Sequence, residues 1–132
     1  MEILGHGIDL TDIERIEQML DKHGERFLDR CFTATEQSYA DKGMTARRAE
    51  FLAGRFAAKE AVLKALGTGI SEGIQWTDIE IMRVGNGKPE VVLHGKAAEV
   101  AAALGITKWH VSITHIKTHA SASAIASGAG AD

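Results

Sequence analysis

Four ionisable side chains stand apart in the stretch Phe51 to Gly69, FLAGRFAAKEAVLKALGTG, where Arg55, Lys59, Glu60 and Lys64 are the only charges before Leu66. Arg55 and Lys59 are four apart, as are Glu60 and Lys64, so on a helix each pair is separated by about 6 Å along the axis. One carboxylate and three cations ahead of a Gly67-Thr68-Gly69 turn, whose glycines leave backbone N–H groups accessible, suit a metal-bridged, phosphate-bearing ligand. On spacing alone the favoured account is plainer: Glu60 and Lys64 form an i,i+4 ion pair on a solvated face, worth about 0.3–0.5 kcal/mol. Against it stands the apolar character of the stretch, because a largely buried helix has little solvated face and its charges need partners, metal or ligand.

The element that positions these groups is a long helix running from a Thr45 cap to about Leu66, ended by Gly67 where an αL cap is expected. Leu52, Phe56, Leu63 and Leu66 form one apolar arc, and Gly54, Ala57, Ala58, Ala61 and Ala65 line a small-residue side open to close backbone approach. Upstream, Ile3 to Leu10 reads as a strand in which Gly5 and Gly7 permit a bulge or such an approach. Asp9, Thr11 and Asp12 then offer a capped helix start, with Asp9 as a cap or turn residue the safer reading of local sequence. In the helical region that follows, Arg15, Lys22, Arg26 and Arg30 align if the helix continues past Gly24, as a docking stripe for an acidic partner. The interleaved Glu14, Glu17, Asp21, Glu25 and Asp29 favour an ordinary solvated face on charge pattern.

Thr33-Ala-Thr-Glu36 fits a capping box opening a short helix to about Tyr39, followed by a loop over 41–44. Ile79 to Val84 and Val91 to His94 read as strands joined at Gly85-Asn86-Gly87, with Pro89 suited to an edge. Gly95 to Leu104 is Ala-rich and helical, stopped by Gly105. Trp109 to Ile116 alternates as a strand that puts His115 on one face with Trp109, Val111 and Ile113, and Ala120 to Ala126 is a last strand of small residues. Gly128 to Asp132 reads as a frayed tail, leaving 1–127 as one domain and 128–132 as a flexible end. Mixed helices and hairpins without βαβ alternation predict an α+β fold, a mainly antiparallel sheet packed against the long central helix.

Composition narrows the functions. The chain has 132 residues, 45% apolar and 25% charged, as in ordinary globular domains, and a net charge of −3. That balance argues against general nucleic-acid or membrane-surface binding, so an acidic partner must be met by a local patch. Cys31 is the only cysteine, which excludes an intrachain disulfide and a cysteine-based zinc site. With no signal-like leader and no long apolar run, the chain reads as soluble and cytoplasmic.

GIDL near the start, FLAGRFAAKEAVLKALGTG in the middle, NGKP in the hairpin and WHVSITH near the end together resemble the holo-[acyl-carrier-protein] synthases, the small bacterial type of 4′-phosphopantetheinyl transferase. The likeness spans essentially the whole chain. It implies transfer of the 4′-phosphopantetheine arm of coenzyme A to a serine hydroxyl of apo acyl carrier protein, releasing adenosine 3′,5′-bisphosphate, in the service of fatty acid biosynthesis. Magnesium is the family's usual metal, and by motif its protein ligands correspond to Asp9 and Glu60. Lys64 falls where it can neutralise phosphate charge or assist the leaving group, so that Glu60 and Lys64 form the catalytic pair. The acceptor of the serine proton is either a metal-activated water or a carboxylate such as Glu60.

By the same likeness, Gly67, Thr68 and Gly69 match the turn beside the coenzyme, and Arg55 and His115 match positions associated with its phosphates or adenosine. The residues alone favour a packed core histidine at 115. Arg15 and Arg26 correspond to the basic first-helix region that docks the acidic helix of acyl carrier protein. The resemblance further implies a homotrimer with active sites between subunits.

Two other functions fit the same residues. A metal-dependent nucleotide-diphosphate hydrolase would use Asp9 and Glu60 with water as nucleophile and would release free phosphopantetheine. A non-catalytic coenzyme-binding module would bind its ligand without metal, the four helix charges serving as structural ion pairs.

Overall fold

The computed structural model describes residues 1–41, 45–71 and 73–131. Its elements follow in the order β1 (Glu2–Asp12), α1 (Ile13–His23), α2 (Glu25–Cys31), α3 (Ala34–Asp41), α4 (Thr45–Leu66), a 3-10 turn (Trp76–Asp78), β2 (Ile79–Val84), β3 (Lys88–Leu93), α5 (Gly95–Ala103), β4 (Ile106–His115) and β5 (His119–Gly128). All strand pairing is antiparallel: β1, β5 and β4 form one sheet in that order, and β2 and β3 form a separate hairpin. The α+β expectation therefore holds, with the strands divided between two sheets.

Helix α4 lies across the inner face of the larger sheet, and small residues let it sit close. Alternate positions of β5, Ala120, Ala122, Ala124 and Ala126, are buried against it, as are Ala57, Ala58 and Ala61 of α4 itself. The two glycines of β1 mark the closest approach, since a methyl group at Gly5 or Gly7 would run into the carbonyl oxygens of Ala65 and Ala61. Gly5 also follows the bulge that shifts the β1–β5 register after Ile3. Both uses of these glycines were legible in the strand.

Two apolar clusters meet on this helix. Val62, Leu63 and Leu66 join Ile79, Ile81, Ala122, Ala124 and Ala126 on one side, while Leu52 and Ala53 join Ile13, Ile16, Phe27, Leu28, Cys31, Phe32 and Ala120 on the other. Cys31 is thus the small buried hydrophobe its isolation suggested. No helix among the described residues is long and apolar enough to cross a membrane.

Several boundaries differ from expectation. β1 runs two residues beyond Leu10, and the α1 cap is Asp12, whose Oδ1 accepts from the Glu14 N–H at 3.0 Å. Asp9 is thereby released from the cap role and becomes a strand residue. Gly24, at φ 52°, ends α1 and opens α2, so the basic residues on either side of it do not form one helical stripe. The capping box is present as read, with Thr33 N–H donating to Glu36 Oε1 and Glu36 N–H to Thr33 Oγ1. Of the loop expected over 41–44, Asp41 instead ends α3 and 42–44 lie outside the described residues, as does the Thr45 side chain expected to cap α4. At the C-terminus β5 continues through Gly128, and the Gly130 N–H donates to the Gly105 carbonyl. Ordered backbone thus reaches into the stretch that composition alone marks as frayed.

Candidate active site

Strand alternation sends Asp9 toward α4, because it pairs with Ala122, whose side chain is buried on the helix side of the sheet. There it meets Glu60 and Lys64, and the three line one cavity of about 400 Å³ together with Thr11 and Arg15. Lys64 Nζ donates to the Ile8 carbonyl at 2.8 Å and to Asp9 Oδ1 at 3.3 Å. The ion pair of Lys64 is therefore with a residue 55 positions away on β1, and the i,i+4 pairing with Glu60 on a solvated face is corrected. Burial pushes the Glu60 carboxyl above the usual carboxylate range, the neighbouring Asp9 charge adds to the rise, and Lys64 and Arg15 oppose it. A second carboxylate converging on the same cavity acts on Glu60 in this direction.

Among the described residues no group of three His, Cys, Asp or Glu side chains could hold a metal. A pair of carboxylates nevertheless fits Mg²⁺, which takes hard oxygen donors and completes an octahedron with water and phosphate oxygens.

Arg55 and His115 face elsewhere. They line a second cavity of about 590 Å³ with Arg47, Glu50 and Arg83, and it shares no lining residue with the first. The Arg55 guanidinium lies 4.1 Å from the centroid of the Phe51 ring, which fixes it as a cation over an aromatic face. Burial, with Arg83 next in effect, lowers its pKa to about 10. His115 is not a core histidine: its side chain is 52% exposed and its Nε2 lies 3.5 Å from Glu50 Oε2. Three arginines around one opening provide anion recognition with bidentate geometry.

The remaining candidates are spread around these cavities. Gly67, at φ 81°, closes α4 with its N–H shared between the Leu63 and Lys64 carbonyls, and Gly69 also has positive φ. Thr68 Oγ1 donates to the Gly69 carbonyl, and the turn lines neither cavity. Arg26 borders a third, largely apolar cavity of about 330 Å³, which shares Met19, Phe27 and Phe56 with the Asp9 cavity that Arg15 lines. Arg15 and Arg26 are thus placed beside adjoining hollows, across the bend at Gly24.

Sequence reasoning missed three groups. Lys59, read only as a cation four residues from Arg55 on one stripe, is wholly buried and paired with Glu36. Thr11, taken as part of a helix start, donates to Asp9 Oδ2; the D-x-T alternation on one strand face was the available signal. Arg47 and Glu50 share α4 with Arg55, and the eight-residue spacing that puts Arg47 and Arg55 on one helix face was the available signal; Arg83 joins them only through the packing of the hairpin against α4, for which no local pattern exists.

A family model described as the 4′-phosphopantetheinyl transferase superfamily matches residues 5–122. A holo-[acyl-carrier-protein] synthase of Koribacter versatilis is 46% identical over 123 residues, covering 93% of this chain and 97% of that protein. One from Protochlamydia amoebophila is 47% identical over 123 residues, covering 92% and 96%. Among solved structures, the Bacillus anthracis holo-(acyl-carrier-protein) synthase in complex with CoA (3′,5′-ADP) superposes with a TM-score of 0.79 at 36% identity, covering 98% of both chains. The Helicobacter pylori holo-[acyl-carrier-protein] synthase in complex with coenzyme A gives 0.80 at 30% identity, covering 92% of this chain and 99% of that one.

Proposed function

The chain belongs to the 4′-phosphopantetheinyl transferase superfamily, among its holo-[acyl-carrier-protein] synthases, and from that premise we propose that it moves the 4′-phosphopantetheine arm of coenzyme A to a serine of apo acyl carrier protein at the Asp9–Glu60–Lys64 cavity. The observation that carries the reading is the convergence of two carboxylates from different elements with one ammonium, all lining a single cavity. Asp9 and Glu60 would hold Mg²⁺, which when bound supplies Lewis-acid polarisation of the phosphoryl oxygens.

The serine oxygen attacks the phosphorus that carries the pantetheine arm. A new P–O bond forms as the bond to the bridging pyrophosphate oxygen breaks, and the electron pair leaves on adenosine 3′,5′-bisphosphate. Lys64 uses two of its three N–H donors on Ile8 and Asp9, which leaves one for phosphate oxygen as negative charge grows. The acceptor for the serine proton is Glu60 or water in the cavity. Arg55 and His115 hold the adenosine phosphates, with the Gly67-Thr68-Gly69 turn alongside the coenzyme.

Because the two cavities share no wall within one chain, the whole coenzyme is best accommodated where copies meet, in a homotrimer with sites between subunits. The outward face of β1 supports this, since Ile8 and Leu10 are 60% and 66% exposed on a sheet face that other elements leave uncovered. Arg15 and Arg26 serve the acidic helix of the carrier protein. On the family likeness alone, the activity belongs in the cytoplasm and feeds fatty acid biosynthesis.

The deciding experiment is intact-mass analysis of apo acyl carrier protein incubated with this protein, coenzyme A and Mg²⁺, with a chelator control. A chelator-sensitive gain of one phosphopantetheine is the expected result. Coenzyme A hydrolysed or merely bound, with several carrier proteins unmodified, would overturn the transferase reading in favour of a hydrolase or a binding module.

A further inference from the structure

We propose that Thr11 is the positioning residue of the cation site: its hydroxyl fixes the Asp9 carboxylate in the orientation that receives a divalent cation. The inference rests on the assignment of Asp9 and Glu60 as the metal ligands. Among the described residues each oxygen of the Asp9 carboxylate has one partner, and the two partners differ in kind. Oδ1 faces Lys64 Nζ at 3.3 Å, a point charge on a flexible stem that is 53% exposed. Oδ2 accepts from Thr11 Oγ1 at 2.9 Å.

Thr11 is only 6% exposed and pairs with the fully buried Ala120, so its side chain is packed on the same strand face as Asp9. A β-branched side chain has few χ1 rotamers open to it, and packing against the sheet restricts them further. The backbone at Asp9 is held as well, since Ser121 Oγ donates to its carbonyl at 2.9 Å. Oδ2 is therefore committed to a stiff neutral donor, and Oδ1, held by the longer contact to a half-exposed ammonium whose shorter bond is to the Ile8 carbonyl, is the exchangeable oxygen. Outer partners that orient a ligating carboxylate in this way typically account for 10- to 100-fold in metal affinity (roughly).

The test is direct Mn²⁺ binding, by calorimetry and by the paramagnetic signal of the free ion, to the wild-type chain and to Thr11→Val, Thr11→Ser and Asp9→Asn. Thr11→Val is expected to bind Mn²⁺ about tenfold more weakly, with a matching rise in the Mn²⁺ concentration needed for half-maximal transfer and little change in kcat at saturating metal. Thr11→Ser, which keeps the hydroxyl, is expected to restore the affinity. Should Thr11→Val lose thermal stability, the pair Thr11→Ala and Thr11→Ser makes the same comparison with smaller side chains. If Asp9→Asn abolishes binding while Thr11→Val and Thr11→Ala bind as the wild type does, the positioning role is overturned and the metal assignment stands. If the wild type binds no Mn²⁺, or Asp9→Asn binds it equally well, the metal assignment falls and the role of Thr11 falls with it.

Discussion

The Lys59 ammonium lies 2.7 Å from Glu36 Oε1, and both side chains are excluded from solvent. The pair joins α4 to three other segments. Lys59 also donates to the carbonyls of Trp76 and Ile79, while Glu36 accepts from the N–H groups of Thr33 and Ile81. Burial lowers the Lys59 pKa, and the Glu36 charge and hydrogen bond oppose that fall. Removing one partner leaves the other buried and uncompensated. Lys59→Ala and Glu36→Ala are therefore expected to cost about 3–5 kcal/mol each in urea denaturation. The double variant Lys59→Met/Glu36→Gln, which removes both charges and keeps most of the volume, is expected to cost much less than the sum of the two single changes. Additive losses would show that the two groups act independently.

Gly7 and Gly67 are both glycines for structural reasons, and the reasons differ. At Gly7 a side chain meets the Ala61 carbonyl of a packed helix; at Gly67 nothing lies near and only the positive φ disfavours other residues. Gly7→Ala forces β1 away from α4 and is expected to lose about 1–3 kcal/mol or more, with a shifted amide spectrum along both elements. Gly67→Ala has room, so the expected loss is about 1 kcal/mol from the left-handed conformation alone. Equal losses at the two positions would contradict the close approach of strand and helix.

These cases mark how far the sequence could be read. The central helix, its Gly67 stop, the Thr33–Glu36 box and the Gly85-Asn86-Gly87 turn each depend on residues within a few positions of one another, and all were legible. The site was legible only as a list. That Asp9 rather than Glu60 takes Lys64 depends on a strand crossing a helix 55 residues later in the chain, and no local spacing encodes it. Lys59 and Arg55, four apart, fall on one helical stripe. In the fold they separate, Arg55 over Phe51 at a cavity mouth and Lys59 toward Glu36 in the interior. Gly24 decided the shape of the basic region, since a single positive φ turned one helix into two.

Glu60 provides a test through pH. Burial and Asp9 both favour its protonated form, so its folded pKa lies above the value of about 4.3 expected for the unfolded chain. Between those two values the folded state binds more protons than the unfolded one, and the stability of the metal-free protein falls as pH rises through that window. Glu60→Gln is thus expected to melt at a higher temperature than the wild type in chelator at neutral pH. The difference should shrink as pH falls toward the ordinary carboxylate range, where Glu60 is protonated in both states. A Glu60→Gln variant less stable than the wild type at neutral pH would mean that Lys64 and Arg15 outweigh burial and Asp9.

Arg15 and Arg26 border adjoining cavities on either side of the α1–α2 bend, where an acidic helix could engage both. With a net charge of −3 on the whole chain, the proposed docking of an acidic carrier needs a local cluster of cations, and Arg15 and Arg26, with Arg30 beside Arg26, form one. Arg26→Glu is expected to raise the KM for carrier protein about tenfold or more while leaving the KM for coenzyme A near its wild-type value. Salt should weaken the wild type more than the variant, because exposed charges are screened beyond a Debye length of about 8–10 Å. Equal rises in both KM values would instead place Arg26 in the coenzyme site.

Asp9 and Glu60 reach the same cavity from β1 and α4, and neither contributes to the principal apolar clusters of the fold. Their loss should therefore separate chemistry from folding. Asp9→Ala and Glu60→Ala are each expected to lose Mg²⁺-dependent transfer by about 10²-fold or more, since Lewis-acid stabilisation of phosphoryl charge is worth several kcal/mol. Circular dichroism and melting should show both variants folded. Lys64→Ala should also lose transfer, but it keeps both carboxylates and frees Asp9 Oδ1 from its ion pair, so Mn²⁺ binding to that variant should persist. The contrast between variants that lose metal and one that retains it assigns the two carboxylates to cation binding and the ammonium to the phosphate. Full activity of either alanine variant at low Mg²⁺ would remove Asp9 and Glu60 from the metal site.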